Sequence, residues 1–258
     1  MASAFFYDKV GFYSSTTADG TVTLNSETGV TSFSSSSTVT NEHFIRDGSI
    51  QNSITDVGSN DAISFDLGST QAPRFIAYYF TAAESGNITL WYSDSATGTV
   101  TSVSAITNDF SAGWTVDEIS PDPAKRYFFF HANGNTISNL SEIIMGAKFT
   151  LPVEPSANKQ ESYEFGTEYV KAYGNNEYVK SNHNVEPMIT LSLDYLTSSQ
   201  VTNVKNFATY VTNQKPFLYS EDGATGPFYF VRLAEPIAFT EVAPTIFSCT
   251  LTLREIVN

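Results

Sequence analysis

Cysteine is nearly absent from this chain. Cys249 is the only one in 258 residues, so no intrachain disulfide forms and a disulfide-stapled scaffold is excluded. The histidines are as sparse: His43, His131 and His183 are scattered, with no pair at zinc-ligand spacing and no second thiol to join them. Cys249 falls in an alternating apolar pattern, which predicts a small buried side chain rather than a nucleophile. Cations are scarce too. Thirteen Lys and Arg stand against 27 Asp and Glu, for a formal net charge of −14. Up to residue 152 there are 6 basic and 15 acidic residues, and beyond it 7 and 12. Neither half offers the clustered Lys and Arg that phosphate contacts need, and such a surface repels DNA. Long hydrophobic runs are missing: stretches such as FIAYYF at 75–80 are far too short to span a bilayer. The start, MASAFFYDKV, has no basic n-region and no apolar run before a cleavage site. The expectation is a soluble chain made in a cytoplasm, without membrane insertion.

Motifs of catalysis are missing as well. There is no G-x-S-x-G elbow. GATG at 223–226 lacks the lysine and the following helix pattern of a phosphate loop. Carboxylates are plentiful, yet no pair stands out as the two acids a glycosidase needs. The expectation is no enzymatic activity and no cofactor.

What the sequence does hold is strand material. Phe (20), Tyr (14), Ser and Thr are abundant while Met (3) is rare, the palette of strands and turns. ISFDLG alternates Ile63, Phe65 and Leu67 against Ser64 and Asp66, and is expected to stop at Gly68. RFIAYYF, NITLWYS, KRYFFFHA and EIIMGAKFTL follow, separated by turn clusters such as SPDP and NGN. Short strands at this spacing predict a β-sandwich or jelly roll. No internal repeat is evident. PVEPSANKQ at 152–160 reads as a boundary between domains at 1–152 and 153–258. Next, 162–186 is Tyr-rich and alternating, which fits a hairpin around Gly174–Asn176 or a long extended loop. MITLSLDYL, PFLYS, FYFVRL and IFSCTLTLREIV are further strands; Phe247, Cys249, Leu251 and Leu253 share a face of the last.

One helix is well marked within LTSSQVTNVKNFATYVTNQKPF (196–217). Thr197 and Gln200 form a T-x-x-Q capping box, with Leu196 and Val201 placed as a hydrophobic staple. Val201, Val204, Ala208 and Val211 follow the spacing of one buried face, with Phe207 beside it. Pro216 is expected to forbid continuation. The helix is predicted over about 198–213.

Two sets of residues are binding candidates. Asp56, Asn60 and Asp61 lie in a loop rich in oxygen donors, a candidate calcium site without EF-hand spacing; an ordinary turn is the alternative. Among the aromatic residues Tyr79, Trp91, Tyr92, Trp114 and Tyr127, most should be core. Trp114, in the loop-like SAGWT, is the candidate platform for stacking on a glycan.

Residues 33–150 resemble the galactose-binding-like, discoidin-type jelly roll. The carrying segments are TVTNEHFIRDGSI with Asp47–Gly48, NDAISFDLGS, RFIAYYFTAAESGNITLWYSDS and KRYFFFHANGNTISNLSEIIMG. Residues 186–258 resemble the distal tail and minor tail (tail-tip hub) proteins of tailed bacteriophages. There the order carries the likeness: a strand, a short helix ending before Lys215–Pro216–Phe217, a strand with Val231–Arg232–Leu233, and a closing strand with Arg254–Glu255–Ile256. Together the resemblances imply a mainly β chain, a jelly roll followed by a small tail-tube-like β-sandwich carrying one helix. They imply a structural virion protein, made in the host cytoplasm and built into the phage tail. It would form a ring of copies of itself, usually a hexamer, contacting tail tube, hub and fibre proteins. DNA would pass through without specific binding. On this view the 159–186 segment, with Tyr163, Tyr169, Tyr173 and Tyr178, is a ring-contact arm; a solvent-exposed hairpin is the alternative. The alternative is a carbohydrate-binding or receptor-binding adhesin acting on a host surface glycan through the jelly roll.

Overall fold

The computed structural model describes residues 2–10, 21–24, 30–34, 49–54, 61–84, 86, 88–96, 99–103, 106, 110–120, 124–131, 136–155, 160–165, 167–171, 177–181 and 185–256. The fold is mainly β: antiparallel, sandwich-like sheets with one α-helix among the described residues. Two compact units divide the chain. One comprises Phe6–Phe149 with Ala224–Gly226, the other Met1–Phe5, Thr150–Gly223 and Pro227–Asn258. The first five residues thus belong with the C-terminal part, although the boundary expected at 152 places them in the first.

Ten strands come first: β1 (Ala4–Tyr7), β2 (Thr21–Leu24), β3 (Val30–Ser34), β4 (Asp61–Gln71), β5 (Phe75–Phe80), β6 (Thr89–Ser93), β7 (Thr101–Ser102), β8 (Gly113–Glu118), β9 (Lys125–His131) and β10 (Leu140–Thr150). In the first unit one sheet runs β3-β2-β4-β9-β6-β7, and in another β5 lies between β10 and β8. Period-two alternation sends Ile63, Phe65 and Leu67 of β4, Leu90 of β6, and Phe128 and Phe130 of β9 into one core. Ile76, Tyr78 and Phe80 of β5 meet them there, with Ile143 and Met145 of β10. The Tyr78 ring sits edge-on to Phe80 and Phe130 at 5.8 and 5.7 Å, a favoured aromatic geometry. The opposite face of β4, β9 and β6 is buried too, by Ala62, Trp91, Val100 and Phe129. A strand covered on both faces needs apolar residues at every position, which accounts for the unbroken YFFF at 127–130.

Gly68 does not end its strand. β4 runs on to Gln71, and Gly68, at φ 73, sits where the β4–β9 register slips between Asp66 and Gln71. The D-L-G motif is therefore a bulge, with glycine supplying the left-handed residue. Asp66 holds it: the carboxylate accepts the Gly68 N–H at 2.8 Å and a two-pronged bond from Arg126 at 2.6 and 2.7 Å. The Arg126 hydrogen bond is the main cause that keeps the Asp66 carboxyl below its ordinary range. Gly146 of β10 is fixed by contact instead. A Cβ there would fall 2.0 Å from the Tyr7 carbonyl oxygen.

The second unit adds β11 (Gln160–Glu164), β12 (Thr167–Lys171), β13 (Glu177–Ser181), β14 (Glu186–Thr197), α1 (Ser198–Val211), β15 (Phe217–Ser220), β16 (Phe228–Leu233), β17 (Phe239–Ala243) and β18 (Ile246–Glu255). Strand order is β11-β14-β18-β16-β15, with β17 also on β18, while β12 and β13 form a separate two-stranded sheet. Cross-strand pairs Ile189–Leu253, Leu191–Leu251 and Leu193–Cys249 build one buried face. Helix α1 contributes buried Val201, Val204, Phe207 and Val211. Phe207 stacks on Phe5 at 4.8 Å, and Phe5 also meets Phe217 and Tyr219 at 5.3 and 5.5 Å. Ser3 is held by Glu154, whose carboxylate accepts its N–H at 3.1 Å and its hydroxyl at 2.8 Å.

The helix begins as its sequence predicts. Thr197 is the N-cap, and Gln200 Oε1 accepts the Thr197 N–H at 2.8 Å, completing the capping box. β14 runs into the helix without a loop: its register breaks between Leu193 and Leu196, and Tyr195 takes φ 59. Two details differ from the sequence pattern. Ala208 is half-buried at the rim of the face rather than in it. The stop comes at Thr212, which turns to φ 52 and donates its N–H to Ala208 O at 2.9 Å, four residues before Pro216.

Candidate functional site

Within 160–185 the described residues form the strands β11, β12 and β13. Of the two forms open for 162–186, the paired strands β12 and β13 correspond to the hairpin, and the residues that connect them, 172–176, lie outside the described residues. β11 pairs with β14, setting Tyr163 opposite Pro187 and Glu164 opposite Glu186. Among the described residues nothing pairs with the other edge of β11, and β12 and β13 pair only with each other. Four large side chains described on this arm are exposed. Tyr163 is 59% exposed, Phe165 65%, Val179 62%, and Val185 is exposed as well. Large apolar side chains gathered on one exposed segment mark an interaction surface more often than chance does.

Of the four tyrosines predicted for a contact arm, Tyr163 is the exposed one on β11. Tyr169 and Tyr178 occupy register positions on β12 and β13, opposite Val179 and Val170. Tyr173 lies outside the described residues. The tyrosine pattern missed Phe165, Val179 and Val185, which lie in EFG, YVK and NVE with no periodicity of their own.

Charge anchors the base of this surface. The Arg254 guanidinium donates from Nη2 to Glu164 at 2.8 Å and reaches Glu186 from Nε at 3.2 Å, tying β18 to β11 and β14. Arg232 stands opposite Arg254 across β16 and β18. Glu186, Arg232 and Arg254 line a polar hollow of about 310 Å³ with Asn213 and Glu255. Burial chiefly, with Glu161 nearby, raises the Glu255 carboxyl above its ordinary range.

Trp114 is on a strand, not a loop. It follows Gly113 in β8, half-buried, with its ring 5.3 Å from that of Tyr79 and tilted by 58°. Register puts Glu142 of β10, Tyr79 of β5 and Trp114 of β8 in one row, and Glu142 is fully buried. Trp91 belongs to the second buried cluster and Tyr127 packs on it. Tyr92 borders an open hollow of about 410 Å³ with Asp94, Thr101 and Lys125.

Of the calcium candidates, Asp56 and Asn60 lie outside the described residues and Asp61 opens β4. Among the described residues no three His, Cys, Asp or Glu are placed to hold a metal ion. Cys249 is buried and its thiol is pushed up to about 11, chiefly by burial and further by the nearby Asp194 charge. That thiol is a packing group, not a nucleophile. Among the described residues no helix is long and apolar enough to cross a membrane. No protein-family model matches the chain, and no curated protein matches it.

Proposed function

We propose that this chain is a structural protein of a tailed phage. It forms a ring, a hexamer on the resemblance, at the distal tail or tail tip, where it links the tail tube to the host-attachment apparatus. The observation that supports this most is the arm: exposed Tyr163, Phe165 and Val179 beside strand edges that pair with nothing else among the described residues. Such edges invite strand addition unless something covers them, and closure into a ring covers all of them at once. A net charge of −14 suits a conduit wall to which duplex DNA must not adhere. Native mass spectrometry of the purified chain, alone and with tail-tube protein, is expected to give a closed oligomer. Gold labelling of virions is expected at the tail tip; label elsewhere on the particle overturns the assignment.

The Tyr79–Trp114 pair supports a second, compatible reading, glycan binding by the sandwich unit. Binding on a glycan array that Trp114→Ala abolishes is the expected result. An array with no bound glycan removes this reading and leaves the ring untouched.

A further inference from the structure

The two strands of the arm's hairpin carry the same four residues. Glu168-Tyr169-Val170-Lys171 recurs as Glu177-Tyr178-Val179-Lys180, a short repeat in a chain expected to hold none. Register gives it meaning. The copies run antiparallel, with Glu168 opposite Lys180, Tyr169 opposite Val179, Val170 opposite Tyr178 and Lys171 opposite Glu177. The tetrapeptide is its own antiparallel complement: acid meets base, aromatic meets β-branched residue. Both are favourable cross-strand pairs. The complementarity holds for the outer edges as well as the inner ones. An isolated two-stranded ribbon is only marginally stable in water. Here, among the described residues, neither outer edge is paired and Val179 is largely exposed.

We propose that the occupant of these edges is a second copy of this chain. The outer edge of β13 in one copy pairs antiparallel with the outer edge of β12 in the next, in the hairpin's own register, so Lys180 again meets Glu168 and Glu177 meets Lys171. Antiparallel pairing of β12 with β12 would match charge only with Glu168 opposite Lys171, a register that sets a residue bonding outward against one bonding inward, and such an isologous contact leaves both β13 edges bare. The β13-to-β12 contact is head-to-tail and satisfies both edges of every copy when it closes. The inference rests on the ring reading and names the strands that make the ring.

Cysteine cross-linking between copies tests it with the full chain. Tyr169→Cys chains are mixed with Val179→Cys chains, and Val170→Cys with Tyr178→Cys, under a mild oxidant. Neighbouring antiparallel pairs alternate between wide and narrow spacing, so one of the two sets lies at the closer spacing. The native Cys249 is buried and does not compete. A covalent dimer in at least one mixture, and none in any single variant, is expected. Native mass of each sample decides what a failure means. An intact oligomer without cross-link in either mixture overturns the strand assignment and leaves the ring standing. A single variant that cross-links to itself shows like edges meeting and overturns it too. Monomer throughout removes both the ring and its strands. Charge reversal gives a second readout: Glu168→Lys is expected to lose the oligomer, and adding Lys180→Glu to restore it. Loss that the second change does not rescue counts against the pairing.

Discussion

One unit covers its sheet with another sheet, the other with a single helix. In the sheet-on-sheet unit the apolar load is shared among five strands, in rings such as Phe65, Tyr78, Phe128 and Phe130. In the helix-on-sheet unit the cover comes from four side chains of one 14-residue helix. The difference teaches where each unit is vulnerable. A cover made by one element fails at one residue, whereas a cover shared by many strands yields by degrees.

Four substitutions probe that contrast, from the largest expected effect to the smallest. Val204 is fully buried in the helix face, and Val204→Asp places a lone charge in that core. The cost should exceed about 4 kcal/mol. Calorimetry should lose the helix unit's transition, native mass should show no oligomer, and the sandwich transition should persist. A surviving oligomer means the helix has been given the wrong role. Phe130→Ala strikes the sandwich core, at about 3–5 kcal/mol. It should lower the sandwich transition without erasing it and leave the helix unit's transition in place. Joint movement of both transitions breaks the comparison by showing that the units unfold as one. Thr197→Ala removes the N-cap hydroxyl and should cost about 0.5–2 kcal/mol, read as a modest fall in the helix unit's transition alone. Asp66→Asn is the smallest, and its signature is pH. The Asp66 carboxyl lies below its ordinary value in the folded chain. Its stabilisation is therefore complete above the unfolded value of about 3.9 and is lost as pH falls through the lower folded value. Wild type and variant should differ at neutral pH and converge in acid. A gap that stays constant down to low pH rules out this carboxylate as its source.

The helix was the easiest element to read from sequence, because its signals are local. Thr197 and Gln200 are three apart, and the capping box needs nothing beyond them. Strands were legible for the same reason, through alternation. What failed involved partners distant in sequence. Gly68 looks like a stop in ISFDLG, and only pairing with β9, where Arg126 donates to Asp66 across 60 residues, makes it a bulge. Trp114 looks loop-like beside Gly113, and only pairing with β5 makes it a strand residue. The arm was half legible: its tyrosines were visible, but no spacing marks Phe165 and Val179 as exposed. The repeated Glu-Tyr-Val-Lys was in plain view and carried no sense until the register set one copy against the other.

Phe5 has a consequence for how the protein is made. Its ring lies against Phe207, Phe217 and Tyr219, and Ser3 is bonded to Glu154, 151 residues further on. Ser3 and Phe5 therefore leave the ribosome long before these partners. At ordinary translation speeds the wait for Phe217 is roughly 10–40 s. For that interval the nascent chain carries the apolar stretch AFFY without the aromatic partners that Phe5 meets in the folded chain. A holdase that recognises short apolar segments would find its target there, and slowing translation would prolong the exposure rather than relieve it.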